Sequence, residues 1–217
     1  MKKAERYKAV LSYLGQQMPD VDTELQFADT FQLLVAVILS AQCTDKRVNM
    51  VTPPLFQRFP DAAAMAQAEA DEVYEYIKSV SYPNAKARHL TDMARKLMSD
   101  FAGRVPDDRE RLQSLPGVGR KTANVVLAVA FGRSTLAVDT HVYRVSHRLG
   151  LVSTADNTPY KVEMTLAKYI PDQLKPKAHH WLLLHGRYVC TAQRPKCRQC
   201  GLREVCPTYL KSFSKNS

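Results

Sequence analysis

Between Leu115 and Ala123 the chain reads Leu-Pro-Gly-Val-Gly-Arg-Lys-Thr-Ala, and here its residue types first suggest chemistry. Gly117 and Gly119 allow backbone angles that other residues resist, and Ala123 to Ala130 favours helix, so the stretch predicts a tight turn feeding a helix. Such a turn aims backbone N–H groups outward at a helix start. The amides and the positive end of the helix dipole both favour an anion there, for example a phosphate oxygen. Lys121 falls in the first helical turn beside that seat; taken singly, it reads as a phosphate contact or a solvated charge. Further on, Val138-Asp139-Thr140-His141 sets an acid ahead of an apolar helical run, an ordinary N-cap pattern. Cys190, Cys197, Cys200 and Cys206 then form C-x6-C-x2-C-x5-C. Four thiolates in so short a loop suit tetrahedral zinc or a cubane iron–sulfur cluster, and spacing alone leaves both open. Zinc sites more often pair two C-x2-C knuckles, whereas only Cys197 and Cys200 have that spacing. Cys43, at the end of an apolar stretch, reads as a small buried side chain.

The elements that must position these residues carry helix signals throughout, with almost no alternating strand pattern, which predicts an all-α fold. Residues 3 to 17 place Ala9, Val10, Tyr13 and Leu14 at helical spacing before Pro19. Asp29 or Thr30 caps a helix to about Ser40, apolar enough to be buried on most sides. Thr44 and Asp45 cap a helix expected not to pass Pro53-Pro54 undisturbed. Short helices follow from Asp61 and over Glu69 to Lys78, the latter with Val73, Tyr76 and Ile77 inward. A long amphipathic helix runs from Pro83-Asn84 to about Phe101, with Leu90, Met93, Ala94 and Leu97 on one side and Lys86, Arg88, Arg95 and Lys96 elsewhere. Asp107 or Asp108 caps a short helix to Gln113, and the glycine turn comes next. Beyond Gly132, helices are expected from Asp139 to Leu149, from Thr158-Pro159 to about Tyr169, and last from Lys177 to Val189. Trp181 reads as core.

A chain of 217 residues with 45% hydrophobic composition can bury a full core in one large domain or two small ones. Its net charge of +10 favours a polyanionic partner, of which nucleic acid is the commonest. No apolar run approaches the roughly 20 residues that span a bilayer, the longest being Phe31 to Leu39. The charged N-terminal residues lack the apolar core of a secretory signal, so a cytoplasmic protein is expected. In that reducing compartment disulfides are not expected, and four clustered cysteines suggest metal.

Leu115-Pro116-Gly117-Val118-Gly119-Arg120-Lys121-Thr122-Ala123 is similar to the helix-hairpin-helix signature of DNA repair glycosylases, and Lys121 with Asp139 resembles that superfamily's catalytic pair. With the cysteine loop, nearly the whole chain resembles the endonuclease III family of DNA glycosylases and abasic-site lyases. The resemblance implies two helical domains with a DNA-binding cleft between them. Residues 22–134 would make a six-helix bundle carrying the hairpin at about 108–131. Residues 1–21 plus 135–217 would make the iron–sulfur domain, with its cluster loop at 190–206, and Lys121 and Asp139 would face each other across the cleft. It further implies a [4Fe–4S] cluster on Cys190, Cys197, Cys200 and Cys206, and a structural, DNA-docking role for the cationic loop that carries them.

The implied reaction is removal of oxidised or ring-saturated pyrimidines from double-stranded DNA through a Lys121 Schiff base, followed by β-elimination at the abasic site. Asp139 would stabilise charge or relay a proton. Gly117, Val118, Gly119 and Thr122 would hold the DNA strand, and the protein would act as a monomer in the cytoplasm, on the nucleoid when bound. Gln42, in Leu39-Ser40-Ala41-Gln42-Cys43, resembles the family residue that enters the duplex when a nucleotide is extruded. It also reads as a polar residue ending a helix. The family's second wedge is commonly Leu in a Gly-Leu-Tyr-Asn-type turn. This chain departs with Ser81-Tyr82-Pro83-Asn84, and Tyr82 would fill the gap by stacking on bases. His141 either approaches the substrate pocket or is a solvated first-turn residue. Monofunctional relatives lack a lysine at the position of Lys121, and the 8-oxoguanine branch lacks the cysteine loop. A non-catalytic DNA-binding module would need neither Lys121 nor Asp139.

Overall fold

The computed structural model describes residues 1–213, and among these every regular element is helical. The all-α expectation holds, and no described helix is long and apolar enough to cross a membrane. The chain divides into two compact units, Glu24–Arg133 and a discontinuous one joining Met1–Thr23 to the chain from Ser134 onward. Residues 214–217, the last part of the region expected to form the cluster domain, lie outside the described residues.

In the Glu24–Arg133 unit, α2 (Thr30–Leu39) is the central element: Phe31 and every residue from Leu33 to Leu39 are buried. Asp29 caps it by accepting from the Gln32 amide at 2.8 Å. Around it lie α3 (Asp45–Arg58), α4 (Ala62–Ala66), α5 (Ala70–Ile77), α6 (Pro83–Phe101), α7 (Arg109–Gln113) and α8 (Arg120–Phe131). Helix α6 packs its Leu90, Met93, Ala94 and Leu97 face on α4 and α5, while α8 packs on α2 and α7.

Helix α3 continues through Pro53 and Pro54, although the two prolines deprive it of two N–H donors. Both prolines are exposed, so the carbonyls they leave without an N–H partner are on the wet side, while Val48, Val51, Thr52 and Leu55 are buried on the other. A helix-interior proline costs about 3 kcal/mol. Burying the three apolar side chains Val48, Val51 and Leu55 contributes about 5–9 kcal/mol, comparable to the cost of two prolines. One expectation is corrected here: Lys86, set apart from the apolar face of α6, is itself buried, 5% exposed, and its Nζ donates to Leu39 O at 2.8 Å and Ala41 O at 2.7 Å. An ammonium at the carbonyl end of α2 sits at the negative pole of that helix, which makes its burial tolerable. Tyr76, expected inward, is half-buried with its ring edge-on to Phe59.

The second unit is built from α1 (Lys3–Gln17), α9 (Thr140–Arg148), α10 (Pro159–Tyr169), α11 (Lys175–Tyr188) and α12 (Pro207–Phe213). Its core joins Val10 and Leu14 of α1 to Val142, Val145, Leu166 and Leu182. Trp181 belongs to this core as expected, its Nε1 donating to Met18 O at 2.8 Å. Tyr7 closes the same joint by donating to Leu151 O at 2.9 Å, and burial pushes the pKa of its hydroxyl well up. Helix α11 starts two residues before its expected start at Lys177 and ends one before Val189. It is followed by α12, which pattern reading did not anticipate.

Candidate functional site

The hairpin between α7 and α8 is fixed by buried Leu112, Leu115 and Val118, and by Val118 N–H donating to Leu115 O at 3.1 Å. Arg109 of α7 ties the pair together by donating from Nε to Oδ1 of fully buried Asn124 at 3.0 Å. Gly117 has φ +77°, and an added Cβ would stand 2.9 Å from His89 Cβ. The two glycines therefore differ. Gly119 has φ −87° and ψ 176°, extended backbone that any residue adopts, and apart from its own chain neighbours no atom lies within 4 Å of where its Cβ would be. The expectation that both need special angles holds for Gly117 alone; at Gly119 the missing side chain leaves open space beside the start of α8. No side chain caps that helix. Lys121 sits half-buried in its first turn, whereas Val118 and Thr122 turn their side chains inward and leave only main chain to meet a ligand.

Gly117→Ala is expected to destabilise by about 2 kcal/mol, a fall of roughly 4–8 °C in Tm for a chain this size. Gly119→Ala should stay within about 0.5 kcal/mol of the native protein. Thermal melts followed by circular dichroism check both.

Two exposed turns of the same unit carry Gln42 and Tyr82. Both residues have left-handed backbone, φ 54° and 55°, which bulky side chains rarely adopt. For Tyr82 the strain is compounded by Pro83, which disfavours helical angles in the residue before it. The Ser81 hydroxyl donates to Gln42 O at 2.6 Å, so the two turns are joined. Tyr82 nonetheless leaves 65% of its surface exposed.

In the other unit Asp139 caps α9, its Oδ1 accepting from the Val142 amide at 2.7 Å while the residue stays half-buried. His141 is also half-buried, its Nδ1 3.2 Å from a terminal nitrogen of Arg144. That same Arg144 nitrogen donates to Gly186 O at 2.8 Å and Cys190 O at 3.1 Å, linking α9 to the start of the cysteine segment.

Cys190, Cys197, Cys200 and Cys206 line one cavity of about 310 Å³, counting the part open to solvent, with Leu149 and Val189 in its wall. All four thiols are half-buried and unbridged. Burial pushes the Cys200 and Cys206 thiols up, and the neighbouring cysteines add to it. Four thiolates in such a pocket repel one another unless a cationic centre compensates them. Among the described residues, no three His, Cys, Asp or Glu side chains form a single-ion site. Arg148 holds the loop at both ends. Its guanidinium donates to Thr191 O at 2.7 Å and Ala192 O at 3.0 Å, while its own carbonyl accepts from Thr208 Oγ1 at 2.8 Å. His185, whose burial depresses its pKa to about 4, lies with Nε2 3.7 Å from Cys200 Sγ. Arg194, Lys196 and Arg198 line an adjoining hollow.

The HhH-GPD superfamily of base excision DNA repair proteins matches residues 35–172. Endonuclease III of Haemophilus influenzae is 45% identical over 206 residues, 95% of this chain and 96% of that relative. The chain belongs to the endonuclease III family. Endonuclease III of Escherichia coli K12 is 44% identical over the same fractions of both chains. A trapped covalent endonuclease III–DNA intermediate superposes with a TM-score of 0.93 at 41% identity, covering 98% of this chain and 100% of that one.

Within this endonuclease III framework, sequence reading named the residues with reactive or exposed side chains and missed those that hold them. Lys86 and Ser81, which grip the Gln42 turn, left no local signal because their partners lie 45 and 39 residues away. Arg144 and Arg148 were not singled out in the sequence, although both donate to the cysteine segment.

Proposed function

We propose that this chain is a bifunctional DNA glycosylase and abasic-site lyase of base excision repair, with Lys121 as nucleophile and Asp139 as its acidic partner. The observation that carries the assignment is an amine in the first turn of an uncapped helix, directly after the Gly117–Gly119 turn, in a chain 45% identical to endonuclease III. The open space at Gly119 and the main chain of Gly117, Val118 and Thr122 suit a DNA phosphate approaching the start of α8. The Lys121 amine adds to C1′ of the deoxyribose as the C1′–N bond breaks and the base leaves with that electron pair and a proton. The aminal that results opens as the C1′–O4′ bond breaks and O4′ takes up a proton, which leaves an iminium that acidifies C2′; loss of the C2′ proton expels the 3′ phosphate by β-elimination. Asp139 stabilises positive charge on the sugar or relays a proton, a role compatible with its capping bond, which occupies one carboxylate oxygen.

Double-stranded DNA with damaged bases or abasic sites is the substrate, and oxidised or ring-saturated pyrimidines are the lesion class. Gln42 and Tyr82 fill the duplex when the nucleotide leaves it, and His141 lies beside the lesion. Units 22–134 and 1–21 plus 135–217 serve as the hairpin domain and the cluster domain of a monomer that works in the cytoplasm on the nucleoid. Cys190, Cys197, Cys200 and Cys206 hold a [4Fe–4S] cluster. The fit rests on four thiols arranged around one cavity, as a cubane needs when each thiolate binds its own iron. When bound, the cluster supplies rigidity to a loop whose Arg194, Lys196 and Arg198 meet phosphate.

Borohydride added during reaction with a thymine-glycol duplex is expected to leave a covalent protein–DNA adduct whose attached peptide contains Lys121. Base release without any adduct would make the enzyme monofunctional and remove the Schiff base from its mechanism.

A further inference from the structure

The chain from Ala36 to Gln42 accounts for every one of its carbonyls. Ala36 O accepts from Ser40 N, Val37 O from the Ser40 hydroxyl, Ile38 O from Ala41 N, and Ser40 O from Cys43 N. Leu39 O and Ala41 O go to Lys86 Nζ, and Gln42 O goes to the Ser81 hydroxyl. One ammonium thus gathers two carbonyls two residues apart, which turns the chain sharply where α2 ends and leaves Gln42 in left-handed backbone at φ 54°. The Lys86 main-chain N–H meanwhile donates to Tyr82 O at 3.1 Å, and Tyr82 is the second exposed left-handed residue. A single buried residue therefore holds both turns, by its side chain on one and its backbone on the other. Strain at two linked, solvent-facing residues persists only where the surroundings enforce it.

We propose that Lys86 is a positioning residue for nucleotide extrusion, its buried ammonium presetting the Gln42 turn against the Tyr82 turn so that both side chains enter the duplex as one rigid wedge. The inference rests on the reading that these two turns enter DNA. Preorganisation has a kinetic meaning here: a wedge already in its inserted shape loses no further backbone freedom when the nucleotide swings out. Burial pulls the Lys86 pKa down, and the helix end it faces opposes that pull.

The test uses the full chain carrying its cluster and a thymine-glycol duplex with 2-aminopurine beside the lesion, whose fluorescence rises when the stack opens. Lys86→Met, which keeps the length and apolar stem but removes the donors, is expected to lower both the fluorescence rise and base release by about 10- to 100-fold. Cleavage of a preformed abasic site, where no base must be extruded, should fall by less than about threefold. Parallel loss on both substrates would mean general destabilisation and overturn the proposal, as would a folded variant with an unchanged signal. If Lys86→Met does not fold, Ser81→Ala decides, since it deletes only the exposed bond between the turns. A fall of about threefold or more in the fluorescence rise is expected, and no change overturns the proposal. Gln42→Ala and Tyr82→Ala separate the two ideas. Signal lost in these but kept in Lys86→Met sinks the clamp alone, whereas signal kept in all three sinks the wedge reading beneath it.

Discussion

Lys121→Gln is expected to abolish the borohydride adduct and reduce base release on the order of 1,000-fold or more, the scale seen when a covalent nucleophile is removed. Glutamine is similar in length and polarity, so α8 keeps its first turn, but an amide nitrogen forms no imine. Because the residue is half-buried at a helix start and not in the core, the Tm should move by only a few degrees. Duplex affinity, carried mainly by many phosphate contacts, should change by less than about tenfold. An undiminished adduct would move the nucleophile elsewhere. The companion variant Asp139→Asn separates two roles of one carboxylate. Asparagine caps as well as aspartate does, so the bond to the Val142 amide survives while the charge is gone. Base release should then fall far more than binding or stability; equal losses would reduce Asp139 to a cap.

The second large effect concerns the cysteines. The native protein is expected to be brown with broad visible absorption, and Cys200→Ala to be colourless, because the cavity then offers three thiolates instead of four. Loss of the cluster should release residues 190–206 from one another and weaken DNA binding by about tenfold, with a shallower dependence on salt, as Arg194, Lys196 and Arg198 lose their fixed spacing. A colourless native protein containing stoichiometric zinc would replace the cluster with a tetrahedral ion. The Arg148 grip on Thr191 O and Ala192 O and the bond from the Cys190 amide to His185 O at 2.7 Å need no iron, so hydrogen exchange should still find the Cys190 amide partly protected in Cys200→Ala.

Helix starts were legible from sequence because capping is local chemistry. Asp29, Thr44, Asp61, Asp108, Asp139 and Thr158 each accept from an amide three residues on, as their types suggest. The reading was least complete where distant packing outweighs local preference. Pro53 and Pro54 sit inside α3 because the opposite face is buried, and Lys86 is inside because the end of α2 supplies its carbonyls. Helix α12 has only seven residues, Pro207 included, too few for a periodic pattern to stand out. At the candidate site, the glycine signature and the cysteine spacing carried the resemblance. The open space at Gly119 is visible only in three dimensions, as is the bond joining the Gln42 turn to Ser81.

The discontinuous unit has a consequence for how the protein is made. Helix α1 is made well before the rest of its unit: Tyr7 must wait for Leu151 and Met18 for Trp181, partners 144 and 163 residues further along the chain. Throughout that interval its apolar stripe of Tyr7, Val10 and Leu14 has nothing of its own unit to cover it, while the intervening Glu24–Arg133 segment is complete and free to fold first. Until those partners are made, α1 has no cover from its own unit, so this unit closes only after the Glu24–Arg133 segment is free to have folded.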